Sequence, residues 1–149
     1  MPIIELKTII KADTKTCFDL SRNIDFHKKS MKHSNEKAIA GKTSGLIGLG
    51  ESVTWEAVHF GVKQQLSSKI TQFDSPNYFV DEMVFGAFKS FKHEHIFKSE
   101  GSNTIMIDKF EFKSPFGVLG QLANTLFLTK YMANLLKTRN QFLKAEAEK

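Results

Sequence analysis

At 149 residues, 41% hydrophobic and 25% charged, the chain is long enough for one domain with a core of its own and ordinary for a globular protein. Its single cysteine, Cys17, excludes an internal disulfide, and with no partner signature around it the residue reads as a small buried one. The net charge of +5 comes from lysines scattered singly among acidic residues, so no nucleic-acid partner is expected; no run nears the roughly 20 apolar residues of a membrane span, so no stable membrane insertion is expected either.

The opening residues MPIIELKTII lack a basic region ahead of a long apolar run, which argues against a signal peptide and for a cytoplasmic protein. Over residues 3–11, Ile4, Leu6 and Ile10 alternate with polar neighbours and predict a first strand. Residues 16–24 predict a short helix with Cys17, Phe18 and Leu20 inward and Asp13 or Thr14 as cap; a second, over 25–31, is expected with Asp25 as cap. A short strand over 36–40 leads into a glycine-rich stretch, 41–52. Gly41, Lys42 and Thr43 invite a phosphate-loop reading, but the position where that loop needs its first glycine is Glu36, and a strand follows instead of a helix. Gly45, Gly48 and Gly50 fail the dinucleotide spacing as well, so no cofactor is expected and the stretch reads as a loop at the rim of a sheet.

Residues 51–60 predict a strand with Val53, Trp55, Ala57 and His59 on one face. After Gly61, residues 62–73 predict its hairpin partner, with Val62, Leu66 and Ile70 inward, and Asp74-Ser75-Pro76-Asn77 forms a turn. The next hairpin, residues 79–97, organises the chain. Phe79, Asp81, Met83 and Phe85 share one face of its first strand, and Phe91, His93, His95 and Phe97 share one face of its second. These faces are mostly aromatic yet carry ionisable groups, the pattern of a small-molecule pocket. The chain's aromatic content agrees, with 14 Phe against 1 Trp and 2 Tyr, since Phe lines an apolar wall without needing a hydrogen-bond partner.

After a turn at Glu100-Gly101-Ser102-Asn103, residues 104–113 predict the last strand. Ser114 as N-cap and Pro115 at the first helical position then open a long helix. Its apolar residues recur at Leu119, Leu122, Leu126 and Ala133 and at Ala123, Phe127, Leu135, Leu136, Phe142 and Leu143, while Lys137, Arg139 and Lys144 suit the negative end of its dipole. This order predicts an α+β fold in a single domain over residues 1–149. A curved antiparallel sheet of about seven strands wraps around the long C-terminal helix, with two short helices after the first strand and a cavity left between sheet and helix.

The stretches GESVTWEAVHFGV (50–62), VDEMVFGAFKSFKHEHIF (80–97) and DKFEFKSPFGVLG (108–120) resemble the SRPBCC superfamily, the START and birch-pollen-allergen-like helix-grip proteins, and in particular its bacterial branch of small, free-standing ligand-binding members. The resemblance runs over essentially the whole chain in the right element order. It implies a deep hydrophobic cavity for lipids, polyketides or similar molecules, in a superfamily that includes carriers, cyclases and dehydratases, so it leaves the function open.

Pairing arithmetic sharpens the pocket. A turn centred on Phe88 gives facing residues whose numbers sum to about 176, which sets Asp81 across from His95. A turn between Glu100 and Gly101 gives a sum of about 201, which sets His93 across from Asp108 and puts Asp108, Phe110 and Phe112 on the inner face. The expected function is binding of a hydrophobic or aromatic small molecule. Trp55, Phe85, Phe110 and Phe127 would supply apolar wall, and His59, Asp81, His93, His95 and Asp108 polar contacts. The alternative is a cyclase- or dehydratase-type enzyme in which an Asp-supported His moves protons. A metal on His93 and His95 would need Asp81, Asp108 or His59 as a third ligand; no signature spacing supports it, and none is expected.

Overall fold

The computed structural model describes residues 2–114 and 118–149, and side chains for residues 2–114 and 126–149. Seven strands form one antiparallel sheet: β1 Ile3–Ile10, β2 Lys37–Gly41, β3 Ser52–His59, β4 Val62–Asp74, β5 Tyr78–Phe85, β6 Ser90–Glu100 and β7 Asn103–Lys113. Their spatial order is β1-β7-β6-β5-β4-β3-β2, so the meander β2 to β7 is closed off by the first strand pairing with the last. Two short helices, α1 Thr14–Ser21 and α2 Ile24–Ser30, with a 3-10 turn at Lys32–Ser34, connect β1 to β2. The helix α3, Val118–Ala147, runs for 30 residues, about 45 Å, and packs on β1, α1 and α2.

Strict alternation makes the inner face. Along β7, Thr104, Met106, Asp108, Phe110 and Phe112 are buried and their neighbours half-buried; along β6, Phe91, His93, His95 and Phe97 are buried in the same way. Two hydrophobic clusters result. In one, Phe18 of α1 meets the rings of Phe73, Phe79 and Phe97 edge-on, with Ile10, Met106 and Leu143 around them. In the other, Phe91, Phe110 and Phe112 pack with Ile4 and Leu136. On β6 and β7 the residues between these clusters are His93, His95 and Asp108, a polar band across an apolar face.

Several local expectations need correction. Asn23, one residue ahead of α2, caps it by accepting from the Phe26 N–H at 3.0 Å, while Asp25 accepts from the Gly45 N–H instead. Asp13 sits at the N-cap of α1 but its side chain makes no cap bond. Val62, expected inward, is 56% exposed beside the hairpin turn, whereas Ile70 is buried. Bulges in β4 at Ser67/Ser68 and Ile70/Gln72 break its alternation, so that Ser67 and Ser68 are both buried. The start of α3 expected at Pro115, and the apolar positions Leu119, Leu122 and Ala123, lie outside the described side chains.

The glycine-rich loop after β2 is tied down. Ile24 N–H donates to Gly45 O at 2.9 Å and Ile47 N–H to Arg22 O at 3.0 Å, stapling the loop to the junction of α1 and α2 and turning Ile47 into the interior. Gly41 is required where β2 leaves β3: its φ is +74°, and a Cβ there would run into the Ser52 carbonyl.

Candidate functional site

Because α3 covers only part of the concave sheet, a cavity of about 480 Å³ remains between them, a size that suits a small-molecule ligand. Trp55 and His59 reach it from β3, Asp81 from β5, His93 and His95 from β6, Phe110 from β7 and Phe127 from α3. Two residues expected in the site do not line it. Phe85 is 49% exposed: it lies beyond the last β5–β6 pair at Glu82 and is paired with Ser67 of β4 across a register shift. Asp108 is fully buried behind the histidines.

The register differs from the expected one by two residues on both hairpins. Asp81 stands opposite His93, and His95 stands opposite Asp108, with facing numbers that sum to 174 and 203. The side-chain partnerships are nevertheless diagonal. His95 Nε2 lies 2.6 Å from Asp81 Oδ2, and His93 Nε2 lies 2.8 Å from Asp108 Oδ1. A two-residue slip keeps every side chain on its face, and a diagonal neighbour stays within reach of an imidazole. The two rings stack at 3.8 Å with 25° between their planes, and Phe79 stacks on the other side of His95 at 4.0 Å.

Two further residues, both on α3, complete the cluster. Arg139 Nη2 donates to Asp108 Oδ1 at 2.6 Å, Asn140 Nδ2 donates to Asp108 Oδ2 at 2.8 Å, and Arg139 Nε donates to Asn140 Oδ1 at 3.0 Å. Sequence reasoning assigned Arg139 to the helix dipole and passed over Asn140. Their signal was position: residues 136, 139, 140 and 143 follow the i, i+3, i+4, i+7 rule, so both polar residues share the buried face with Leu136 and Leu143.

Electrostatics follows from this packing. Burial disfavours the Asp108 anion, but the Arg139 guanidinium and the hydrogen bond from His93 outweigh it and hold the carboxyl far below the usual carboxylate range. Burial likewise opposes ionisation of Asp81; the hydrogen bond from His95 and the charges beyond it bring its pKa below the ordinary value. For His95, burial and the neighbouring His93 lower the imidazole to about 4 against the pull of Asp81, so the ring is neutral at physiological pH. Its Nε2 carries the hydrogen given to Asp81, and its Nδ1 is sealed, without a hydrogen-bond partner among the described residues, 3.7 Å from Asp108 Oδ1.

A second polar group lines the cavity from α2 and the turn before β2. His27 Nε2 lies 2.9 Å from Glu36 Oε1, and Ser34 Oγ donates to Glu36 Oε2 at 3.0 Å. Burial works against the Glu36 anion, but His27 and Ser34 keep its pKa below the ordinary value. Trp55 packs against His27 with ring centroids 4.4 Å apart. His59 Nδ1 and the Tyr131 hydroxyl meet at 2.6 Å, joining β3 to α3. The next residue, Phe60, has φ +55° and Gly61 has φ +73°, the paired left-handed geometry of a tight hairpin. That turn sets Phe60 against Tyr131 at 4.5 Å and against Phe127 at 5.3 Å.

Asp81, His93 and His95 can each offer one ligand atom within 4.8 Å of the others. As placed the two histidines do not fit a single ion, because an ion must lie close to the plane of each ring that binds it, and these planes are stacked 3.8 Å apart at 25°. Among the described residues, no helix is long and apolar enough to cross a membrane.

No protein-family model matches the chain, and no curated protein matches it. Solved structures do. A protein from Thermus thermophilus superposes with a TM-score of 0.74 at 18% identity, covering 98% of this chain and 99% of that one. Ginseng major latex-like protein 151 from Panax ginseng gives 0.71 at 15% identity, over 98% of this chain and 97% of that one. A protein from Chromobacterium violaceum gives 0.77 at 9% identity, over 99% of this chain and 97% of that one. At such identities the likeness is one of fold, and it matches the element order and sheet topology described above. The chain has the helix-grip fold, the architecture of the SRPBCC superfamily that its sequence resembles.

Proposed function

We propose that the protein binds a hydrophobic or aromatic small molecule, lipid- or polyketide-like, in the cavity between the sheet and α3. The observation that carries this reading is a cavity of about 480 Å³ whose wall is largely apolar and whose floor is a buried, hydrogen-bonded polar cluster. In this reading Trp55, Phe110 and Phe127 supply apolar contact, and His59, Asp81, His93 and His95 supply polar contacts. Asp108 acts at one remove, by orienting His93. Apolar burial provides most of the affinity, and the few polar groups select and orient.

Titration with the neutral apolar dye Nile red tests the proposal. One saturable site is expected, and Ala57→Trp, which extends an indole from β3 into the cavity, should weaken it by roughly tenfold or more. Binding that does not saturate, or that the indole leaves unchanged, would put the dye elsewhere and remove the support.

One observation favours a second reading, an enzyme of the cyclase or dehydratase type. Asp108, held by Arg139 and Asn140, takes the Nε2–H of His93, and His93 stands on the cavity wall with no partner described for its Nδ1. A carboxylate behind an imidazole is the arrangement of a supported general base: Nδ1 would take a proton from a bound C–H or O–H, and Asp108 would stabilise the imidazolium formed. Under this reading His93→Ala abolishes turnover; under the binding reading it only weakens retention of the ligand.

A further inference from the structure

Taking the binding reading as given, the polar end of the ligand can be assigned from what the cavity floor has left to offer. The two oxygens of Asp108 already accept three hydrogen bonds, from His93, Arg139 and Asn140. Arg139 commits Nε to Asn140 and one Nη2 hydrogen to Asp108, so its charge is paired with Asp108, although Nη1 has no partner among the described residues. At Asp81, by contrast, Oδ2 takes the hydrogen of His95 Nε2, and Oδ1 has no partner among the described residues. Asp81 lines the cavity with 18% of its side chain exposed, so Oδ1 is an acceptor that a ligand can reach.

Beside it stands His95, 3% exposed, whose Nδ1 is sealed from the cavity and offers nothing to a ligand. With Nε2–H given to Asp108, neutral His93 adds Nδ1 as a second acceptor on the same wall.

The charges of the lining point the same way. Its two guanidiniums, Arg22 and Arg139, are each paired with a carboxylate, Asp19 at 3.0 Å and Asp108 at 2.6 Å. Its two carboxylates, Asp81 and Glu36, have only histidines and a serine hydroxyl as partners. Each guanidinium therefore has a carboxylate of its own from outside the lining, while Asp81 and Glu36 have only imidazoles and a hydroxyl, which opposes a further carboxylate in the cavity and favours a hydrogen-bond donor.

We infer that the bound molecule presents a hydrogen-bond donor, an alcohol or phenol hydroxyl or an ammonium group, to Asp81 at the cavity floor, and that a carboxylate of the same shape is refused. Long-chain fatty acid anions are thereby excluded as ligands that enter head first, and hydroxylated aromatic or alicyclic molecules are preferred. Ionised Asp81 is the selecting group, because no carboxylate can donate to it and any hydroxyl or ammonium can.

A matched probe series, titrated calorimetrically near neutral pH, tests this: naphthol, naphthylmethylammonium, methoxynaphthalene and naphthoate, all substituted at the same ring position. Naphthol or the ammonium probe should bind about tenfold more tightly than methoxynaphthalene, which cannot donate, and about a hundredfold more tightly than naphthoate. Whichever of the first two binds better tells a hydroxyl ligand from a cationic one. Asp81→Asn, which keeps the shape and supplies a donor, should narrow the naphthol-to-naphthoate ratio by about tenfold through stronger naphthoate binding. The wild-type ratios decide the matter even where that variant does not fold. Equal affinities across the series, a preference for naphthoate, or an unchanged ratio in folded Asp81→Asn overturn the inference and leave the binding reading standing. If none of the probes binds, methoxynaphthalene included, the binding reading fails and this assignment with it.

Discussion

His95 sits between two carboxylates and yet stays neutral, because it is 3% exposed and stacked between His93 and Phe79. Its imidazole is lowered to about 4 from an ordinary 6.5, so between those values the unfolded chain binds a proton that the folded chain does not. Stability must therefore fall as pH drops through that window, by roughly 3 kcal/mol at most. Below it, Asp81 and Asp108, both held under their ordinary carboxylate values, add a second loss as they protonate. Urea unfolding from pH 7 downward should show the first loss beginning near pH 6.5, and His95→Gln, which keeps a donor for Asp81, should flatten it. An unchanged slope in the variant would place the titrating group elsewhere. At this scale the sequence was informative about partners and not about register. Face parity brought Asp81 to His95 and His93 to Asp108 despite a two-residue slip on each hairpin, because parity survives an even shift and turn lengths cannot be read to the residue. Phe85 was misplaced because parity shows neither the register shift at Ser67/Ser68, across which it pairs with β4, nor the end of its β6 pairing at Glu82.

Among the elements, α3 does the most to define the site. One side of it carries Leu136, Arg139, Asn140 and Leu143 into the interior, and Tyr131 and Phe127 border the cavity nearer its start. Leu143 is fully buried and Leu126 is 69% exposed, so the helix offers its own control. Leu143→Ala should cost about 2 to 5 kcal/mol of unfolding free energy, and Leu126→Ala no more than about 0.5 kcal/mol. Equal losses would mean that the helix is rotated about its axis from the arrangement described. The element order was readable from period and turn residues alone: alternating runs bounded by glycine and by the Asp74-to-Asn77 turn marked the strands, and one wide apolar stripe marked the helix. What escaped was the cap of α2, where Asn23 rather than Asp25 closes the first turn, and the bulges in β4, which add a residue without changing composition. Arg139 and Asn140 escaped because a polar residue on an apolar stripe declares itself only when something buried is known to face it.

Across the whole molecule, the sheet and α3 enclose a largely apolar space with two polar groups on its wall, one built around Asp81, His93 and His95 and the other around Glu36, His27 and His59. A fold stabilised only by burial would gain nothing from a cavity of about 480 Å³ at its centre, since every unfilled wall loses packing contacts. That loss is sensible where a ligand fills the space, and occupancy should then stabilise the folded state by mass action. The most direct test is a native mass spectrum of the protein purified from its own cells, followed by denaturing extraction. The account predicts a discrete non-covalent adduct of small-molecule mass, bound one to one and released on denaturation as a neutral or cationic hydroxyl- or amine-bearing compound. A protein that emerges bare from cells, and that then takes up nothing from a total small-molecule extract of those cells, would contradict it.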